Sequence, residues 1–298
     1  MSALGLGCNN FGMKIDAEQT NAVVGAALEA GITHFDTAEM YGEGRSEEFL
    51  GAALGSRRDE VVIATKFLPR STEEAYRPGA LAERVVAGAE ASLKRLGTDY
   101  IDVFYQHYPD ADAPQDELFE AFEALTRDGK VRHVALSNTS SELISAAAAI
   151  TEASPAHLCA VQVEWSLLNR DSETKVVPAA AAAGLGVVPY FPLASGLLTG
   201  KYRPGAEAPE GSRFAALPWF AQTATEERLA ATERLRVYAQ ERGHELIELA
   251  LGWLLTRPEV SSVIAGATTP DQVRANAAST AWRLTTEQLA EIDELLAG

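Results

Sequence analysis

Asp36, Tyr41, Lys66 and His107 are the residues whose types could do chemistry together. A carboxylate, a phenol, an ammonium and an imidazole form a set that can hold, donate and relay protons. Each sits in a distinctive phrase: HFDTAEMYG from His34 to Gly42, VVIATK from Val61 to Lys66, and IDVFYQH from Ile101 to His107. These phrases read as the second, third and fourth β-strands, so a closed parallel sheet would gather their ends on one face. Asp36, Lys66 and His107 close their strands; Tyr41 lies in the loop after the second, beside Gly42, where the backbone can turn it inward.

Taken singly, each residue has a plainer reading: a structural ion pair, a packing tyrosine, a hydrogen-bonded core histidine. Their joint occurrence at neighbouring strand ends favours a site. Asp36 and Lys66 should pair, the carboxylate offsetting the desolvation of a buried ammonium. A cation beside Tyr41 should pull its pKa down from about 10 and make it a general acid near neutrality. His107 can hydrogen-bond the same substrate oxygen or share the proton transfer. Such a site can protonate an alkoxide developing from a carbonyl, but it cannot supply two electrons. With no flavin or metal motif in the chain, a nicotinamide is the natural source of hydride.

The elements that must position these residues alternate from end to end. Short β-rich runs are expected at Ala3–Gly7, Thr33–Asp36, Val61–Lys66, Tyr100–His107, Val131–Ser137, Ala160–Glu164, Gly186–Tyr190 and Ser261–Ala265. Amphipathic helices lie between them, such as Asp16–Ala30, stopped by Gly31, and Pro78–Leu96, with proline in the first turn and Gly97 at the stop. Apolar runs such as VVIAT and GVVPY are continuous, as in strands covered on both faces. Eight βα units without a linker predict a single-domain (β/α)8 TIM barrel over residues 1–298. A doubly wound open sheet is the runner-up, weakened by the absence of GxGxxG after any strand. One long interruption, Ala194 to about Ala224, carries Trp219 and Phe220, which either fill a local cluster or form a lid over substrate. A final helix is expected at Thr286–Leu296, packing across the barrel.

Composition narrows the function classes. The chain has 298 residues, 47% hydrophobic and 22% charged, with a net charge of −17. That balance repels a phosphate backbone, so nucleic acid is not expected as a partner. No run reaches the roughly 18 to 20 apolar residues that span a bilayer, and the N-terminus lacks signal-peptide regions, so no membrane is expected and the location reads as cytoplasmic. Cys8 and Cys159 are too far apart in sequence for a metal or redox motif; no metal site and a reduced compartment are expected. No coiled-coil repeat reveals an oligomeric state.

At these residues the chain resembles the aldo-keto reductases, over nearly its whole length. FDTAEMYG with GRSEEFLG is similar to the family phrase carrying the aspartate and tyrosine, IATK to the one carrying the lysine, and YQHYPD to the one carrying the histidine. GKVRHVALSN, VQVEWSLLNR, YFPLASGLLTGKY and VIAGATTPDQVRANAAS are similar to the family's fifth-, sixth-, seventh- and eighth-strand segments. The resemblance implies NADPH bound without a Rossmann fold, hydride transfer to a small-molecule aldehyde or ketone, and Tyr41 as proton donor. It implies that Ser137, Asn138 and Gln162 hold the nicotinamide carboxamide, that Tyr190 stacks on the ring, and that Gly266, Thr268, Gln272 and Asn276 lie along the adenosine end.

The chain also departs from the family. Phe191 stands where many members have serine, so backbone groups around Leu193 and Gly196 are expected to take over the pyrophosphate. The stretch from Gly266 to Thr269 and Gln272 has no Lys or Arg for a 2′-phosphate, and Arg274 is the nearest cation, which leaves NAD open beside NADP. The chain starts almost at the first strand, without the hairpin that plugs the barrel floor in many relatives. Trp165, Trp219, Phe220 and Phe67 suggest an apolar or aromatic-friendly substrate cavity. Two further readings stand beside the reductase: a nicotinamide-binding redox sensor or channel-associated subunit with slow turnover, and a Schiff-base lyase or aldolase using Lys66.

Overall fold

Continuous apolar strands have to be covered on both faces, and a closed parallel barrel inside a ring of helices does this. The computed structural model describes residues 1–69, 75–152, 154–202 and 224–297. Its strands are β1 (Leu4–Gly7), β2 (His34–Asp36), β3 (Val62–Phe67), β4 (Ile101–Gln106), β5 (Val131–Ser137), β6 (Leu158–Glu164), β7 (Gly186–Tyr190) and β8 (Val263–Gly266). They form one eight-stranded sheet in the order β7-β6-β5-β4-β3-β2-β1-β8. Every paired neighbour is parallel. At the remaining seam, Val187 bridges to Val260, its N–H donating to Glu259 O at 2.8 Å and its carbonyl accepting from Ser261 N at 2.9 Å. The fold is the (β/α)8 barrel expected of the sequence.

The helices among the described residues are α1 (Ala17–Glu29), α2 (Arg45–Leu54), α3 (Ala80–Leu96), α4 (Gln115–Arg127), α5 (Ser141–Thr151), α6 (Val176–Ala182), α7 (Glu226–Glu241), α8 (Leu246–Leu255), α9 (Pro270–Ala278) and α10 (Thr286–Ala297). Local chemistry sets their ends. Asp16 caps α1 by accepting from Gln19 N at 2.9 Å, while the Gln19 side chain accepts from Asp16 N at 3.1 Å. Thr269 caps α9, which has Pro270 in its first turn. Pro78 does not open α3 as expected; it lies in a turn, and left-handed Gly79 is the cap. The last helix lies along α7, with Tyr238 Oη donating to Glu291 at 2.6 Å and Ile292 fully buried.

Strand boundaries differ from expectation by one or two residues where polar side chains hold the ends. Tyr100 falls outside β4, its backbone carbonyl accepting from Arg58 Nη2 at 2.9 Å instead of from a neighbouring strand. His107 follows β4 rather than closing it, yet its N–H still donates to Phe67 O at 3.0 Å. The interruption after β7 is described only to Tyr202 and from Ala224, so the expected lid residues Trp219 and Phe220 lie outside the described residues.

Side chains alternate across the sheet with a period of two, and this separates two cores. Ala64, Val103, Tyr105, Ala135, Ala160, Val188 and Ile264 fill the barrel interior. The larger core, containing Phe35, Ile63, Phe67, Phe104 and Leu136, lies between sheet and helices. Small residues at inward positions leave room for large ones. A Cβ on Gly5 would lie 2.6 Å from Nδ1 of His34, whose buried ring bonds Ser262 Oγ at 2.8 Å. Gly5→Ala therefore overpacks this layer and should cost about 1–3 kcal/mol of stability by chemical denaturation. An unchanged midpoint would show that the His34 ring is free to move.

Candidate active site

Lys66 and Asp36 occupy inward positions near the C-terminal ends of β3 and β2. Lys66 Nζ lies 2.5 Å from Asp36 Oδ1 and donates to Thr37 O at 2.8 Å. Both side chains are sealed from solvent, at 0% and 4% exposure, so each charge has the other as its main compensation. The second carboxylate oxygen, Oδ2, accepts from Gln162 Nε2 at 2.8 Å. A residue expected at the carboxamide is thus also tied to the aspartate.

Tyr41 begins a single turn in which Gly42 has φ 59°, and a Cβ on Gly42 would lie 3.0 Å from Phe11 O. The Tyr41 ring faces Lys66 Nζ, 5.3 Å from its centroid, and meets the His107 ring edge-on at 5.9 Å. Burial raises its pKa above the ordinary phenol value, and Asp36, Tyr108 and Cys8 push the same way. This reverses the expected direction. The Lys66 ammonium is committed to Asp36 and Thr37 O, and desolvation of the phenolate outweighs it. Tyr41 is a neutral phenol with its proton in place.

His107 is 5% exposed and stacks on Tyr108 at 4.8 Å and 14°. Burial lowers its pKa to about 3, with Lys66 adding to the effect, so the imidazole is neutral. Its Nδ1 is buried without a hydrogen-bond partner among the described residues. Asn138, at a positive φ of 53°, donates to His107 O at 2.9 Å and accepts from Tyr190 Oη at 2.7 Å. Ser137 Oγ donates to Gln162 O at 3.2 Å. The ends of β4, β5, β6 and β7 are therefore linked through polar side chains.

One cleft of about 960 Å³ gathers the sequence candidates. Asp36, Tyr41, His107, Ser137, Asn138, Gln162, Tyr190, Phe191, Leu193, Gly196, Gly266, Thr268, Gln272 and Asn276 all line it, while Lys66 lies beneath, behind Asp36. Past β7 the backbone is left-handed at Phe191, Ala194 and Ser195, with φ of 52°, 45° and 58°. The Gly196 N–H is already used on Leu193 O at 2.8 Å, so it is not the open donor expected there. At the far end, Gln272 Oε1 accepts from Thr268 N at 2.8 Å.

Other lining residues escaped the sequence reading. Met40 and Tyr108 flank the mouth at 45% and 44% exposure, and Cys8, Asn9, Asn10 and Ser195 line the interior. Their position one to five residues past a strand end was the available signal. Phe67 and Trp165, expected in the cavity wall, are instead packed core: Phe67 points outward to Phe104 and Phe122, and Trp165 meets Trp253 at 5.8 Å. The period of two that turns Lys66 inward turns Phe67 away. Arg274 does not line the cleft; it pairs with Asp271 at 3.1 Å and with Glu29 at 3.8 Å. Lys14 and Lys201 are the cationic side chains on the cleft wall among the described residues.

Chemically, the cleft offers a phenol and an uncharged imidazole above a sealed ammonium–carboxylate pair, an arrangement suited to protonating an oxygen that gains negative charge. Comparison with known proteins agrees with this architecture. The profile of the Aldo/keto reductase family matches residues 3–297. The chain is 37% identical to a putative voltage-gated potassium channel subunit beta of Schizosaccharomyces pombe, covering 94% of this chain and 85% of that one. It is 33% identical to an L-glyceraldehyde 3-phosphate reductase of Escherichia coli O157:H7, covering 100% and 89%, and 34% identical to a probable aldo-keto reductase 1 of Glycine max, covering 99% and 85%. With its barrel, its strand-end site and a profile match across nearly its full length, the chain belongs to the aldo/keto reductase family.

Proposed function

We propose that this chain is an NADPH-dependent carbonyl reductase in which Tyr41 delivers the proton and Lys66, Asp36 and His107 shape its surroundings. The observation that carries the reading is the pairing, on one cleft wall, of a protonated phenol with an uncharged imidazole, their ring centroids 5.9 Å apart above the buried Lys66–Asp36 pair. A carbonyl oxygen between them would accept a hydrogen bond from the imidazole and the proton that Tyr41 holds. The Lys66 ammonium beneath the Tyr41 ring offsets the charge left as that proton departs. Asp36 keeps the ammonium in place.

Nicotinamide, when bound, supplies the hydride. The residues present fit such a group. Ser137, Asn138 and Gln162 line the cleft at the ends of adjacent strands, held in place by their bonds to one another's neighbours, Tyr190 brings a ring to the same wall, and Gln272 and Asn276 line the far end of the cleft. Lys14 and Lys201 bring positive charge to the cleft wall, which suits the anionic phosphates of a nicotinamide dinucleotide. The substrate is a small-molecule aldehyde or ketone.

A second reading has support in the relatives' names: a nicotinamide-binding subunit with slow turnover, since the Schizosaccharomyces pombe relative is named as a channel subunit. The Schiff-base reading loses support, because Lys66 is fully buried and committed to Asp36 and Thr37 O.

Tyr41→Phe should lower kcat by roughly 10²- to 10⁴-fold while NADPH affinity stays within about twofold. Equal loss of turnover and binding would remove the proton-donor role. Tryptophan fluorescence quenching should report tighter binding of NADPH than of NADH, and binding of neither would remove the reductase reading altogether. An NMR titration should find the His107 imidazole neutral from pH 8 down to pH 5, consistent with its lowering to about 3. A midpoint near the ordinary value of about 6.5 would show a cleft floor far wetter than its burial indicates.

A further inference from the structure

Helix α2 starts immediately after the Tyr41 turn, and two consecutive side chains in its first turn reach into the barrel wall. Ser46, fully buried, donates from Oγ to Cys8 O at 2.8 Å and lies 2.8 Å from Thr37 Oγ1. Cys8 directly follows β1 and Thr37 directly follows β2. Glu47, also fully buried, accepts from Thr65 Oγ1 at 2.6 Å on one oxygen and from Arg95 Nε of α3 at 2.6 Å on the other. Thr65 is the residue of β3 before Lys66, and the strand's alternation sends its side chain out to the helix layer while Lys66 points inward. Between them, Ser46 and Glu47 grip the ends of β1, β2 and β3.

Those are the strands that carry the ion pair. Thr37 is held twice, through its hydroxyl by Ser46 and through its carbonyl by Lys66 Nζ at 2.8 Å. Glu47 holds β3 one residue from the lysine. A buried carboxylate with both oxygens in short charge-assisted bonds is a stiff anchor, because losing either partner leaves desolvated charge uncompensated.

Resting on the reductase reading, we propose that Glu47, acting through Thr65, is a positioning residue for Lys66, and that Ser46 does the same for the β1 and β2 ends. Glu47 touches neither the cleft nor any group that would contact substrate. It sets the height and angle of the Lys66 ammonium beneath Tyr41, so its loss shows in the chemical step rather than in binding.

The test uses the full chain with NADPH and 4-nitrobenzaldehyde as the probe carbonyl. Thr65→Val keeps the shape and removes only the hydroxyl that Glu47 accepts; Thr65→Ser keeps the hydroxyl. Thr65→Val should lower kcat roughly tenfold to a hundredfold, with KM and NADPH affinity within about twofold, and Thr65→Ser should recover most of that loss. Glu47→Gln, which keeps an acceptor for Thr65 and loses the charge facing Arg95, should give an intermediate kcat and serves if Thr65→Val does not fold. An unchanged kcat beside a lowered melting temperature would reduce the network to a structural tie and overturn the proposal. So would a loss confined to NADPH affinity. A wild-type protein that neither binds NADPH nor reduces the probe would instead overturn the reductase reading itself.

Discussion

A salt bridge cut off from water is the constraint around which this barrel is arranged. Lys66 and Asp36 face each other at 2.5 Å inside a parallel sheet, where an unpaired charge would be very costly. Several features follow from keeping that pair together. Thr37 turns its carbonyl toward the ammonium, Gln162 reaches from the opposite side of the barrel to the free carboxylate oxygen, and neighbouring interior positions at Ala64, Ala135 and Ala160 are small. The groups above the pair feel it. His107 is held uncharged by burial and by the ammonium, and Tyr41 keeps its proton because burial and the carboxylate oppose its loss.

Two chemistries are thereby kept apart in depth. The charge of the ion pair lies below, sealed and matched, while Tyr41 and His107 above it are neutral and hydrogen-bonding. A neutral donor above fixed charge would need little reorganisation were an oxygen held between Tyr41 and His107 to become negative.

Much of this architecture was legible in the sequence because the governing signals are local. Continuous apolar runs such as VVIAT mark strands covered on both faces, and polar residues at their ends mark the mouth of a barrel. The strands lie where those runs predicted, with ends shifted by one or two residues, as where the Tyr100 carbonyl finds a partner in Arg58. What was not legible depends on distances between remote residues. Gln162 sits 126 positions from Asp36, and no local pattern announces their bond. The expected fall in the Tyr41 pKa assumed that a nearby cation would prevail, whereas the outcome turns on how much of that cation is already spent. Wall residues were misassigned where one step along β3 changes the face, exchanging Phe67 for the rim residues Met40 and Tyr108.

The seam between β7 and β8 carries a thermodynamic consequence. Seven of the strand junctions are ladders of several paired residues, whereas among the described residues this one is fastened along the backbone through Val187, to Glu259, Val260 and Ser261. The cleft spans that fastening, with Tyr190 and Phe191 on one bank and Gly266 and Thr268 on the other. A ligand lying along the cleft would therefore act as a clasp on the junction with the sparsest backbone pairing. Its concentration enters the free energy of opening by mass action, and local breathing at the buckle is coupled to how often the cleft is filled.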